Sequence, residues 1–344
     1  MEEQNDEFFE TFEVTTDPGQ TPLRLDKFLL DKTSKLSRNR IQNIIKAGSA
    51  TVNGMVVKAN HRVKPGQHVK MIIPKFQDPN EGLVAEDIPL DIRYEDEHLL
   101  VLHKEPGMVV HPGIGNHSGT LVNALAHYLR LSELPVLPGN DINRVGLVHR
   151  IDKDTSGLLV IAKTEFAMSH LAKQFFDHSI ERSYVALVWG SPEPADGRIE
   201  TFIARDPRNR TKYAVPHEDE EEGKWAATNY KTLEDLYYVS LLELRLETGR
   251  THQIRVHMSH RGNPLFNDAK YGGDRIHKGT VYSKYRSFVE KNFALCPRQA
   301  LHAKSLSFVH PATKEKVTFT SELPEDMAAV AERFRNYLSS RRND

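Results

Sequence analysis

The chain has 344 residues, room for two or three domains, and its 39% apolar and 27% charged residues are ordinary for a soluble globular protein and exclude a disordered or fibrous one. No apolar run approaches the ~20 residues of a membrane helix, and the acidic amino terminus lacks the basic segment that opens a signal or transit peptide. Cys296 is the only cysteine, which excludes an intramolecular disulfide and a thiolate metal cluster, so a cytoplasmic protein with no membrane attachment is expected.

The net charge of -1 hides an asymmetry along the chain. Residues 1–21 carry seven acids and no Lys or Arg, and are expected to form a flexible acidic leader. Residues 22–75 carry twelve Lys and Arg against two acids, a local charge of +10, which is the footprint of a polyanion-binding module. Leu25, Phe28 and Leu29 make one helical stripe. Ser37 is placed to cap a second helix in which Ile41, Ile44 and Ile45 share a face, with Gly48 at its end. Arg38, Arg40 and Lys46 fall mostly off that stripe, toward solvent or a ligand. Val52-Asn53-Gly54-Met55 signals a hairpin with a type I′ turn, with Lys58 just beyond it, and His68–Ile73 reads as a closing strand.

Residues 76–86 are polar and turn-rich and read as a linker, so the larger domain is expected over 87–344. Its predicted strands are 99–102, 157–163, 184–189 and 238–247, and its predicted helices are 119–129, 165–176, 251–260 and 324–338. Leu242, Leu244 and Leu246 alternate with Glu243, Arg245 and Glu247, as a half-buried antiparallel strand requires. Strands and helices mix without regular βαβ repetition, which predicts α+β: a mixed, largely antiparallel central sheet flanked by helices and loops, with a small α+β domain at the amino terminus. The run Glu218–Glu222 reads as an acidic loop.

The most chemically loaded segment is His149-Arg150-Ile151-Asp152-Lys153-Asp154-Thr155-Ser156-Gly157. It sets a carboxylate between an arginine and a second charged pair, directly before the apolar run Leu158–Ala162. Charge so concentrated at the mouth of a core strand is not a packing device. Among the seventeen histidines, His252 and His257 are five apart rather than four, with no Glu between them, so they do not form a zinc-binding helix. No glycine-rich phosphate loop precedes a helix. No metal and no cofactor are expected.

These blocks resemble those of the RluA-type RNA pseudouridine synthases, and most closely the RluD subgroup. The matching text is the Asp152 block, Lys104–Gly113 with Gly119–Leu125, Glu181–Ala186, Thr248–His257 and Arg298–Ala303. The family's first block usually opens Asn-Lys-Pro; here His103-Lys104 is followed by Glu105 before Pro106. Arg24-Leu25-Asp26, Ser37-Arg38 and Val52-Asn53-Gly54 resemble the S4 RNA-binding domain, with Arg38, Arg40, Lys46 and Lys58 expected to meet RNA. The resemblance implies Asp152 as the catalytic carboxylate, Arg255 as its partner and Tyr184 against the target base. It implies His149, Arg150, Arg250, His252 and Leu301 around the substrate. The implied reaction isomerises uridine to pseudouridine, without metal or redox carrier, in large-subunit (23S) ribosomal RNA or its precursor, by a monomeric enzyme. Attack on the sugar, attack on the base and removal of a sugar proton to give a glycal all fit the same carboxylate. The alternatives are an inactive S4-type assembly factor and a metal-dependent hydrolase.

Overall fold

The computed structural model describes residues 8–33, 36–75, 84–112, 115–130, 146–216, 223–280 and 282–342. Its first unit runs β1 (Phe9–Thr15), β2 (Leu23–Arg24), α1 (Leu25–Lys32), α2 (Arg38–Lys46), β3 (Ala50–Val52), β4 (Met55–Val56), β5 (Arg62–Val63) and β6 (His68–Pro74). The Ser37 hydroxyl accepts from the Arg40 N–H at 3.3 Å, satisfying an orphan donor at the start of α2. Asn53 and Gly54 adopt φ of 50° and 78°, the pair of positive angles that lets two residues join β3 to β4. Leu25, Phe28 and Leu29 of α1 and Ile41, Ile44 and Ile45 of α2 are buried together with Val69 and Met71 of β6.

The acidic leader is not flexible throughout. Residues 9–15 form β1, which pairs antiparallel with β6 from Phe9↔Pro74 to Thr15↔His68. Its acids interleave with Phe9, Phe12 and Val14, so the charge count conceals a half-buried strand. One of those acids serves the pairing: Glu13 lies 2.8 Å from the Lys70 ammonium on β6. Most of the expected linker, residues 76–83, and the acidic run at 218–222 lie outside the described residues.

The second unit contains β7 (Asp91–Glu95), β8 (Leu99–Lys104), α3 (Leu121–Tyr128), β9 (Gly146–Leu147), β10 (Ser156–Ala162), α4 (Glu165–Phe176), β11 (Glu181–Trp189) and β12 (Asp196–Arg205). It continues with β13 (Tyr213–Ala214), β14 (Lys224–Asp235), β15 (Val239–Leu246), α5 (Gln253–His260), α6 (Ser283–Leu295), β16 (Leu301–Val309), β17 (Lys316–Thr320) and α7 (Glu325–Arg342). One sheet runs β13-β12-β14-β15-β11-β16-β10-β8-β7, with β17 beside β16 and β9 beside β10. Only β10 and β16 pair in parallel among the described strands, so the sheet is mixed and largely antiparallel, as expected. That junction depends on Gly157, whose φ is +119° and where an added Cβ would stand 2.3 Å from the Ala303 carbonyl oxygen. The glycine lets β10 leave the Asp152 loop in contact with β16.

The two units share a packed interface. Phe9 and Ile72 enter the same apolar cluster as Leu171 and Phe175 of α4, and Phe9 meets Phe176 edge-on at 5.6 Å. Asn43 donates to Glu165 at 3.1 Å, and the Ser49 hydroxyl to the Ser169 carbonyl at 2.9 Å. Docking therefore rests on buried aromatic area fixed by a few directional bonds. No helix among the described residues is long and apolar enough to cross a membrane.

Candidate active site

Asp152 sits in the loop between β9 and β10, where its carbonyl accepts from the Thr155 N–H at 3.1 Å and closes a turn. Lys104 at the end of β8 fixes that loop from below. It is 1% exposed, and its ammonium donates to the carbonyls of Glu105, Met108 and Lys153 at 2.8, 2.9 and 2.8 Å. Three acceptors match the three protons of an ammonium. Glu105, the residue that departs from the family text, supplies one of those acceptors through its backbone. Arg298 braces the other side, with Nη1 donating to the carbonyls of Asp154 and Leu301, both at 3.1 Å, and its remaining nitrogens held by Asp326 at 2.7 and 2.9 Å.

Above the loop, α5 delivers Arg255. Its Nη1 donates to Asp152 Oδ2 at 2.8 Å, while Nε and Nη2 hold Asp268 at 2.7 and 2.8 Å. The two-pronged grip on Asp268 uses the planar fork of the guanidinium and leaves one nitrogen aimed at Asp152. Tyr271 lies under the guanidinium at 4.9 Å. Burial pushes the Asp152 carboxyl toward protonation, but the charges of His252 and Arg255 and the Arg255 hydrogen bond outweigh it, and the net result lies below the ordinary carboxylate value. His252 has its own pKa pushed down to about 4 by burial, so it adds its charge only in acid; near pH 7 it is neutral and Arg255 is the permanent counter-charge.

His252 occupies a left-handed conformation, φ 57°, at the cap of α5. There its Nδ1 is 2.8 Å from the Tyr271 hydroxyl and its Nε2 is 3.8 Å from Asp152 Oδ1. Tyr184 reaches the site from β11, next to a register shift between Ser183 and Tyr184 in the pairing with β16. It is 7% exposed. Burial raises its pKa, with Arg182 opposing and Asp152 reinforcing, so the phenol stays protonated.

These groups surround a cavity of about 360 Å³, the size class of small-ligand sites. Asp152, Arg255 and His252 line it together with Tyr184, Leu246 and Leu301. The structure thus brings Asp152, Tyr184, Arg255, Arg150, Arg250, His252 and Leu301 to one cleft. His149 also borders it, but its Nε2 accepts from the Val160 N–H at 3.1 Å and its ring stacks on Phe175 at 4.7 Å. Burial and the Arg182 charge push its pKa down to about 3, so it is a neutral scaffold group in this geometry. Arg250 is anchored by donating to the Trp225 carbonyl at 3.0 Å.

Of the four cations expected to meet RNA, Arg38, Lys46 and Lys58 are exposed, and Arg38 Nη2 also lies 3.4 Å from the buried Asp26 carboxylate. Arg40 instead donates to the Pro74 carbonyl at 2.7 Å, and the Lys46 ammonium stands 5.3 Å over the Phe166 ring of α4. The helix stripe placed all three α2 cations away from the core of their own domain; Arg40 nevertheless turns back onto Pro74 of β6 within that domain, while Lys46 reaches the Phe166 ring of the catalytic unit and stays exposed. Sequence reasoning also missed Asp268 and Tyr271. Their only signal is the turn-rich stretch Asn267-Asp268-Ala269-Lys270-Tyr271-Gly272-Gly273 beyond α5. It missed Phe8 and Phe9 as well, which border the cavity from the start of β1. Among the described residues, one His-carboxylate group has metal-binding spacing, Asp91, His103 and Glu105, and none of its members borders the Asp152 cavity.

Residues 98–260 match the RNA pseudouridylate synthase family model and residues 23–69 the S4 domain model. An uncharacterized RNA pseudouridine synthase of Chlorobaculum parvum is 43% identical over 93% of this chain and 97% of its own. The ribosomal large subunit pseudouridine synthase D of Zymomonas mobilis is 41% identical over 97% of this chain and 99% of its own. In structure, human RNA pseudouridylate synthase domain containing 4 superposes with a TM-score of 0.55 at 25% identity, over 71% of this chain and 93% of that one. A two-unit architecture with an S4 domain ahead of this cleft, and near-full-length identity above two-fifths, place the chain in one family: it belongs to the RNA pseudouridine synthases.

Proposed function

We propose that this enzyme isomerises specific uridines of large-subunit (23S) ribosomal RNA, or of its precursor, with Asp152 as the catalytic carboxylate. The observation that carries the reading is an Asp152 carboxylate held ionised by Arg255 in a cavity that Tyr184 and Leu301 also line. The reaction breaks the bond from ribose C1′ to uracil N1, turns the base, and joins C1′ to C5. The proton at C5 is lost and one is gained at N1, so no electron leaves the system. It requires an electron pair held ready at neutral pH, which an ionised Asp152 supplies for attack on sugar or base, or for removal of a sugar proton. Arg255 orients that carboxylate, Tyr184 offers the base a flat face, and Arg150 at the mouth takes the space the displaced nucleotide leaves. The ribosomal target follows the Zymomonas mobilis relative, a ribosomal large subunit pseudouridine synthase. The enzyme works as a monomer in the cytoplasm, its units divided near residues 76–86.

Carbodiimide mapping of ribosomal RNA from cells with and without the gene tests reaction and target together. A stop present in the large-subunit RNA only when the gene is present is the expected result; identical maps would remove this target.

The S4 unit is proposed to hold the RNA through its exposed cations. Because Phe9 and Ile72 complete the apolar cluster on α4, deleting the unit would strip that face, so single charge removals are the sharper probe. Arg38→Gln or Lys58→Gln should each lower the slope of log affinity against log salt by about 0.7 to 0.9 for every phosphate that is no longer neutralised. Lys46→Gln should lower it likewise, since that ammonium is exposed beside the Phe166 ring. Filter binding over a salt series decides it: three identical slopes equal to that of the parent would take these residues out of the RNA interface.

A further inference from the structure

Two cavities meet at Asp152. The second, about 610 Å³, shares Arg150, Ile151, Asp152, His252 and Arg255 with the first. Its remaining wall mixes apolar Val109, Val110 and Pro112 with polar Asn116, Lys153, Asn267 and Lys270, whereas the first holds the aromatic rings of Phe8, Phe9, Phe175 and Tyr184. With a flat base among those rings and its glycosidic bond at Asp152, the attached anionic backbone runs into the second cavity.

The cations of this second cavity are not equivalent. Arg298 is committed to Asp326 and to backbone carbonyls. Lys153 is exposed on the rim. Lys270 is half-buried, and among the described residues its ammonium makes no hydrogen bond or ion pair. Its backbone is nevertheless fixed, because its N–H donates at 3.1 Å to Asp268 Oδ1, on the same carboxylate that grips Arg255. We propose that Lys270 is a substrate-binding residue that takes the backbone phosphate next to the target uridine and so holds the ribose with its glycosidic bond over Asp152. Burial and the neighbouring Arg255 charge lower the Lys270 pKa, the electrostatic condition that an arriving phosphate relieves. The inference rests on the assignment of Asp152.

The test uses the full-length enzyme and a synthetic stem-loop carrying the mapped uridine, with one flanking phosphate at a time replaced by an uncharged methylphosphonate. Lys270→Met should weaken binding and raise KM by about 10- to 100-fold, the effect of losing one charge-assisted hydrogen bond, with kcat within about threefold. Lys270→Arg should recover most of the loss. At one flanking position the methylphosphonate should cost the parent enzyme as much as Lys270→Met does, and cost Lys270→Met nothing more. Losses that add at every position, or a fall in kcat with KM unchanged, would overturn the proposal. Affinity is also measured on the Asp152→Asn background, so the phosphate cycle judges Lys270 by itself. Activity persisting in Asp152→Asn would instead count against the assignment of Asp152.

Discussion

Asp152→Asn should abolish turnover and leave RNA binding intact. The carboxamide keeps the shape of the side chain and can still accept from Arg255 Nη1, which now stands at 2.8 Å from the carboxylate. Arg255 keeps both bonds to Asp268, so the cleft holds its form. What disappears is the anionic electron pair, and loss of an enzymic nucleophile or base costs at least about 10²-fold in kcat, and about 10⁴-fold or more for a nucleophile. A single-turnover assay on the mapped stem-loop checks it; turnover within tenfold of the parent would remove Asp152 from the chemistry. The pH profile offers an independent check. The Asp152 carboxyl lies below its ordinary range and His252 near 4, so the carboxylate is ionised and the imidazole neutral at every pH from 5 to 8. The parent rate should show no acid limb in that window. The same shift is a stability term. A depressed folded pKa contributes stability above the unfolded carboxylate value, and that contribution disappears as pH falls through the folded value. Asp152→Asn should therefore flatten the acid arm of the unfolding profile.

Local geometry was more legible in the sequence than the assembly, and the reason is range. Ser37, Asn53-Gly54 and the alternation of Leu242, Leu244 and Leu246 are local signals, each tied to a backbone geometry, and each is found in its expected place. Asp152, which lines the cavity, could be singled out as a candidate because so much charge next to a core strand has few structural uses. Strand β1 was not, because its pairing partner lies more than fifty residues away and its apolar positions are diluted by acids. The clamp of Asp268 on Arg255 spans thirteen residues and depends on how the segment after α5 folds back. Arg40 and Lys46 show the same limit: a helix stripe says which residues leave a domain's own core, and not where their side chains then turn, Arg40 to the Pro74 carbonyl and Lys46 to the Phe166 ring. Lys104 carries it further. Nothing near it in the sequence marks it as buried, yet it is one of the most buried side chains among the described residues, because three carbonyls converge on it.

Tyr184 should separate two roles when it is changed in two steps. Its ring belongs to the apolar cluster that includes Leu301 and Ile151, and it faces the same cavity as Asp152. Among the described residues its hydroxyl makes no hydrogen bond, and its raised pKa keeps the proton in place at neutral pH. Tyr184→Phe keeps the stacking face and removes only the hydroxyl. Tyr184→Ala also removes the ring, and with it a base-stacking contribution of order ~1–3 kcal/mol and the packing of a buried aromatic, ~3–5 kcal/mol of stability. If the hydroxyl relays the C5 proton, Tyr184→Phe should bind RNA normally and detach the uracil, then stall, with kcat down by about 10²- to 10⁴-fold, the usual contribution of a positioned acid or base. If the ring only stacks, Tyr184→Phe should stay within a few-fold of the parent while Tyr184→Ala fails. Tritium release from [5-³H]uridine RNA, followed alongside pseudouridine formation in a single turnover, reads the C5 step directly. Because the alanine variant carries a folding cost, its melting curve is taken first and its rate measured well below the midpoint. A folded Tyr184→Ala enzyme with full activity would return this tyrosine to the core and take it out of the site.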